Sequence, residues 1–315
     1  MSRSSWRAEA RGALSLAGGG LVFLAVAAFA DRTFPPLDAF RSLWPHLSVA
    51  IAGVGVALLA TGAWLRAVGL FAAAAFFIVL IVRTAFWSAM PMAEAPVGAE
   101  TLRVLTVNAL VGNRTPERLA EAIASGGYDL VAIQEGAALE DHYRRLGAVL
   151  PYQTGCEAGE ACDLVLLSRR PLEDLVWTPF ETRSSRLLTA SFRWEGVSIG
   201  LVSVHLTKPH HDEYQRFQTS RTIRAQHRLP PDAIVVGDFN AAPWTGLLDW
   251  FRAATGFVHP AGYRPTAPAR AGVLGVPIDQ VMVRGRVGVS RIAVLDDALG
   301  SNHFGVEADL FLRDR

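Results

Sequence analysis

Residues 233–240 read Ala233-Ile234-Val235-Val236-Gly237-Asp238-Phe239-Asn240. Ala233 to Val236 is a short apolar run rich in β-branched residues, the signature of a buried strand ending at Gly237. If the chain stays extended, the i, i+2 spacing of Asp238 and Asn240 puts both on one face. A plain turn accounts for Asp, Phe and Asn after a glycine equally well, so the stretch means little alone. The same pattern of apolar strand and polar end recurs outward in both directions. Asn108 follows Leu105-Thr106-Val107, Gln134 and Glu135 follow Val131-Ala132-Ile133, and His205 follows Val202-Ser203-Val204. Asp279 sits within Pro277 to Val281, and His303 closes Ser301-Asn302-His303 before a last strand from Phe304 to Leu310. Open α/β sheets place their sites at such strand ends.

Around these points strand-like and helix-like segments alternate. Leu102 to Val107, Leu130 to Ile133, Leu164 to Leu167 and Ile278 to Val283 read as strands. Thr115 with Pro116 is expected to open one helix, and Pro243 with Trp244 another running toward Ala254. Glu195-Gly196 is a two-residue turn between Arg186–Trp194 and Val197–Leu206, a predicted β-hairpin. About 215 residues of this mixture fit one α/β core.

The first hundred residues differ in kind. They hold seven of the 30 Lys/Arg and five of the 29 Asp/Glu, although 51% of the 315-residue chain is hydrophobic. Residues 12–30, 47–65 and 67–82 are uncharged apolar runs, predicting about three transmembrane helices within residues 1–90. Gly18, Gly19 and Gly20 then read as close helix packing, and Arg66 and Arg83 bracket the third run. Residues 91–100, with Pro91, Pro96 and Gly98, read as a linker to a domain at 101–315.

Arg3, Arg7 and Arg11 place the N-terminus inside and, after three crossings, the C-terminal domain outside. Cys156 and Cys162, the only cysteines, are expected to form a disulfide there. The domain carries 23 basic and 24 acidic residues, with Lys208 the chain's one lysine. Bulk electrostatic binding of nucleic acid is thereby disfavoured.

Taken in order, T-V-N at 106–108, Q-E at 134–135, S-V-H-L at 203–206, G-D-F-N at 237–240, I-D-Q-V at 278–281 and S-N-H at 301–303 resemble the endonuclease/exonuclease/phosphatase superfamily, the DNase-I-like hydrolases. Leu167 to Pro171 matches a further segment common in bacterial members. The resemblance covers roughly residues 101–315. It implies a four-layer α/β/β/α sandwich and a phosphodiester hydrolase using Mg²⁺ or Mn²⁺. A membrane-spanning N-terminus before such a domain is similar to some bacterial members, which implies an inner-membrane protein with an extracytoplasmic catalytic domain.

The chemistry agrees with the roles so implied. Glu135 is the best ligand for a hard cation, with Asn108 beside it and Asn302 as a third candidate. Asp238 would orient and deprotonate water, Asn240 would position that carboxylate or contact phosphate, His205 and His303 would contact phosphate oxygens, and Asp279 would fix the His303 ring. Two positions depart from the family pattern: Asn302 stands where aspartate is usual, and Leu110 where a polar side chain is common. They motivate an alternative, a catalytically weakened domain that binds a phosphorylated ligand or partner at the membrane. Expected substrates are phosphate esters, either nucleic acid or lipid head groups.

Overall fold

The computed structural model describes residues 3–31, 33–155, 162–180, 185–209 and 214–314. It begins with helices α1 (Arg3–Ala27), α2 (Asp38–Ser42), α3 (Trp44–Ala60) and α4 (Trp64–Val82). The segments Trp6–Ala30 and Trp64–Trp87 are long and apolar enough to cross a membrane, and Pro35–Ser42 with Trp44–Ala60 forms a third candidate bent by 65°. The expected second run, 47–65, overshoots a helix boundary. The chain turns at residues 61–63, where Gly62 adopts a φ of 79° that favours glycine. Arg66 therefore belongs to the first turn of α4, where it donates to Ser15 Oγ at 2.9 Å. Of the three glycines assigned to helix packing only Gly18 has that role: a Cβ there would lie 2.7 Å from Leu70, whereas Gly19 and Gly20 face open space. Cys156 lies outside the described residues, so its expected bond to Cys162 stays an expectation.

Among the described residues eleven strands form two sheets. The first contains β1 (Leu102–Asn108), β2 (Leu130–Gln134), β3 (Tyr152–Thr154), β4 (Leu164–Ser168), β10 (Val287–Val294) and β11 (Val306–Leu312), in the order β10-β11-β1-β2-β4-β3. The second contains β5 (Glu173–Pro179), β6 (Ser185–Trp194), β7 (Val197–His205), β8 (Ala233–Asp238) and β9 (Asp279–Arg284), in chain order. Two parallel pairs, β1/β2 and β7/β8, are bridged by α5 (Pro116–Ser125) and α7 (Tyr214–Gln226), the connection parallel strands require. A short α6 (Tyr143–Leu146) follows β2, and α8 (Gly246–Thr255) follows β8.

Period-two alternation then builds the layers. Leu102, Val104, Leu130 and Ala132 of one sheet pack against Ile199, Leu201, Ile234 and Val236 of the other. Their neighbours Leu105, Val107, Val131 and Ile133 turn outward beneath α5 and α6. On the other side Val202, Val204 and Val235 turn outward against Leu247, Leu248 and Phe251 of α8. This is the four-layer α/β/β/α arrangement expected of the sequence.

Local boundaries differ in instructive ways. Gly237 does not end β8: pairing continues through Gly237↔Gln280 and Asp238↔Asp279. A Cβ on Gly237, whose φ is 136°, would stand 1.9 Å from the Val204 carbonyl, so glycine is what lets the strand run on. Thr115 precedes α5 without capping it through its side chain. Helix α8 starts at Gly246 rather than at Pro243, because Thr245 Oγ1 accepts from Leu248 N and sets the first turn there. Trp244 is thereby free of the helix and packs with Trp44 and Phe77 from α3 and α4.

Candidate active site

The inward-facing residues of the central strands change character at one end of the sandwich. Along β1 they run Leu102, Val104, Thr106, Asn108; along β8, Ile234, Val236, Asp238; along β7, Ile199, Leu201, Ser203, His205; along β9, read backwards, Val283, Val281, Asp279. Each strand places its last inward side chain where the two sheets meet, so the polar ends converge on one point. Cross-strand registry aligns them: His205 lies beside Asp238, and Asp238 beside Asp279.

Contacts between the two sheets close the site. Asn108 Nδ2 donates to Asp238 Oδ2 at 3.3 Å and to Glu135 Oε1 at 3.0 Å. Glu135 would face outward if β2 simply continued. Instead its φ of 54° swings the carboxylate back, and Val111 N holds its other oxygen at 2.7 Å. Positive φ at a non-glycine residue is a strained conformation of the kind found at functional sites. Asn240 N donates to Asp238 Oδ1 at 2.8 Å while the Asn240 amide donates to Leu206 O at 2.8 Å. Asn240 is thus anchored by its side chain and orients Asp238 through its backbone.

His303 Nδ1 lies 2.9 Å from Asp279 Oδ2, and Asp279 N donates to Thr266 Oγ1 at 3.2 Å. The segment carrying His303 is tied to β1 by Ser301 Oγ, which donates to Asn108 O at 2.6 Å and accepts from His303 N at 3.0 Å. His205 Nε2 is 3.8 Å from Asp238 Oδ2, while its Nδ1 meets both Asp163 oxygens at 3.1 Å. Arg186 stands 3.4 Å from Asp163 on the far side. Asp163 is a site residue that sequence reasoning missed. It lies directly after Cys162 and before β4, at the start of a strand, with no flanking pattern to mark it.

Seven of the eight sequence-predicted residues are joined by these contacts. Asn302 is exposed and adjoins them through the backbone; among the described residues no hydrogen bond links its side chain to Asn108 or Glu135. His303, Asn240 and Asn302 face a cleft of about 330 Å³ whose other walls include Lys208, Pro268 and Ile278.

The electrostatics follow from burial and crowding. Burial alone would lower the His303 pKa, but Asp279, Asp238 and Glu135 together raise it to about 9. Asp238 is raised by burial and by the neighbouring Asp279 charge, against the opposing pull of both histidines. Asp279 Oδ1 is buried and, among the described residues, has no hydrogen-bond partner. Ligand atoms of Asp238, Asp279 and His303 all lie within 4.8 Å of one another. A carboxylate excess with an orphaned oxygen is a donor set that suits a hard divalent cation. Glu135 lies outside this cluster and joins it through Asn108, which donates to both Glu135 and Asp238. Asn108 turns its NH₂ toward the carboxylates and its oxygen toward Leu110 N at 3.0 Å. For Asn108 to ligate, its amide must make a half-turn.

The same fold occurs in solved structures. An endonuclease/exonuclease/phosphatase from Bacteroides vulgatus superposes with a TM-score of 0.54 at 21% identity, covering 68% of this chain and 100% of that one. TDP2 of D. rerio, humanized by 14 mutations, gives 0.53 at 18% identity and covers 67% and 98%. Sphingomyelinase C from Streptomyces griseocarneus gives 0.50 at 20% identity and covers 67% and 99%. At these identities the likeness establishes the fold. Among curated proteins no relative matches. The model of the endonuclease/exonuclease/phosphatase family matches residues 105–303, from inside β1 to His303 itself. The motifs, the two-sheet architecture and this match agree, and the chain belongs to the endonuclease/exonuclease/phosphatase family.

Proposed function

We propose that the protein is a membrane-anchored, divalent-metal-dependent phosphodiester hydrolase: residues 1–90 form the anchor, 91–100 the linker and 101–315 the catalytic domain. The observation that carries this reading is the convergence of Glu135, Asp238, Asp279, His205 and His303 at one end of the sandwich, on elements far apart in sequence. Hydrolysis of a phosphodiester needs a deprotonated water, neutralised non-bridging oxygens and a proton for the leaving oxygen.

Asp238 supplies the base. Its raised pKa moves it toward the range in which a carboxylate takes up a proton effectively, and Asn240 N aims it. His303 supplies positive charge: Asp279 holds Nδ1, so Nε2 is the atom left to meet a phosphate oxygen. His205 is set between Asp163 and Asp238, which orients its ring for the same oxygens. Glu135, with Asn302 and with Asn108 once its amide has turned, would hold Mg²⁺ or Mn²⁺, which would supply positive charge against the phosphate oxygens.

The anchor is supported by hydropathy and by aromatic placement. Trp6 and Trp64 are exposed at one end of the helical bundle, and Phe86 and Trp87 at the other, next to the linker. The positive-inside tendency of Arg3, Arg7 and Arg11 favours that first end inward and, with three crossings, a catalytic domain outside the inner membrane. The test is hydrolysis of bis(p-nitrophenyl) phosphate by the full-length protein in detergent. Turnover is expected with Mg²⁺, is lost in EDTA, and is lost on Asp238→Ala or His303→Ala. Metal-independent turnover in both variants refutes the assignment, and metal-free ligand binding without turnover favours a weakened binding domain.

A further inference from the structure

The catalytic cleft is not built by the sandwich alone. Ala39, Ser42 and Leu43, from α2 and the residue that joins it to α3, line the same cavity as Asn240 and His303. This wall is fastened to the sandwich by specific bonds. Asp38 accepts from the backbone N–H of Gly246 at 2.9 Å and of Leu247 at 3.1 Å, at the start of α8. Ser42 Oγ accepts from Ala242 N at 3.2 Å, and Trp244 Nε1 donates to Arg41 O at 2.7 Å. Since Ala242 and Trp244 follow Asn240 almost directly, the connection between two apolar helices is bolted to the loop that carries the Asp238–Asn240 pair.

The opposite rim leads to the same place. After Ala267 and Pro268, which also line the cleft, comes a helical turn, Ala269–Leu274. Its tip exposes Val273 at 83% and Leu274 at 68%. The Leu274 carbonyl lies 2.6 Å from His46 Nε2 in the first turn of α3. An exposed apolar pair at the mouth of a cleft, touching the end of an apolar helix, is continuous with the surface that helix presents to lipid. The cleft's own lining is chiefly apolar, through Leu43, Pro209, Ala267, Pro268, Val276 and Ile278, with Lys208 as its one lysine or arginine among the described residues. That composition suits the glycerol and acyl-proximal part of a lipid and is poor for a polyanionic strand.

We propose that the substrate is a membrane phospholipid of the bilayer in which the protein is anchored, and that the tip Val273-Leu274 dips into the headgroup layer to bring the lipid phosphate under His303. This rests on the hydrolase reading given above. In the reaction water adds to phosphorus, one P–O ester bond breaks, the departing oxygen takes a proton, and the other fragment keeps the phosphate with the water oxygen.

The test compares two substrates in full-length protein reconstituted with Mg²⁺. One is vesicles of phosphatidylethanolamine and phosphatidylglycerol labelled in the head group; the other is soluble bis(p-nitrophenyl) phosphate. Wild type is expected to release water-soluble label. The double variant Val273→Asp, Leu274→Asp is expected to lose about tenfold or more of that rate, from lost insertion of two apolar side chains, and to keep its rate on the soluble diester. Equal vesicle rates for variant and wild type overturn the role of the tip. Soluble turnover with no label release overturns the lipid assignment and leaves the hydrolase standing; a single-stranded DNA arm that is cleaved in that case identifies nucleic acid as the substrate. Absence of turnover on every substrate removes the hydrolase reading and this inference together.

Discussion

Asn108 and Asp238 are the last inward-facing residues of two strands in different sheets, 130 positions apart in sequence, and they meet at 3.3 Å. Their contact ties the two sheets together at the site, and Asn108 passes the link on to Glu135. Geometry at the candidate base therefore depends on how the two sheets pack. Asp238→Asn preserves shape and removes the base. It is expected to lower kcat about 10²- to 10⁴-fold with an unchanged circular dichroism spectrum; a loss below tenfold would assign the proton to another group.

The His303–Asp279 pair makes stability depend on alkaline pH. His303 titrates near 9 when folded, against 6.5 unperturbed. Between those values the folded chain binds the proton more tightly than the unfolded chain. The stabilisation is fully present below pH 6.5 and disappears as pH rises toward 9, a span on the order of 3 kcal/mol. In EDTA, the melting difference between wild type and His303→Gln is expected to shrink over that window. A difference that does not vary with pH would contradict the pairing.

Asp163 acts through His205 rather than on the substrate, so its removal should be milder. Asp163→Asn keeps the size of the side chain but removes the charge facing Nδ1 and Arg186. A kcat reduction of roughly 10- to 100-fold with little change in KM is expected, in the range seen for partners that orient a ligand or base. Steady-state kinetics on the soluble diester decides it, and a KM effect alone would mean that Asp163 shapes the cleft instead.

Asp38 serves as a remote cap for α8, with its two oxygens on the N–H groups of Gly246 and Leu247. Asp38→Ala leaves those donors without partners, at a cost of about 1–2 kcal/mol. In detergent the melting midpoint is expected to drop by roughly 2–8 °C, and residues 38–43 to become more accessible to protease. An unchanged midpoint would show that α2 and the sandwich are not coupled.

Much of the fold was legible because the core strands are locally consistent. The Ala233–Val236 run, the Glu195-Gly196 turn and the polar strand ends all signal through neighbours within a few residues. Helix α7 was not legible for a physical reason. Its buried face is Gln215, Gln218, Thr219, Thr222 and Gln226, polar side chains bonded inward, as Gln215 is to Phe239 O and Gln218 to Thr207 N. No apolar period exists to detect. Strand β5 escaped for a related reason: Leu175 and Val176 are exposed on an edge strand, so no buried face imposes a period.

By itself the sequence determined which residues end the strands, in which order, and that the first hundred residues hold runs apolar enough to cross a membrane, because side-chain alternation and hydropathy act over short stretches of chain. Only the tertiary structure decided that Asn108 meets Asp238 across two sheets, that Asp163 stands behind His205, and that α2 walls the cleft. Those contacts join residues tens to more than two hundred positions apart, for example Asp38 with Leu247, 209 positions apart. No local pattern encodes them; they follow from how two twisted sheets and a helical bundle bury their faces together.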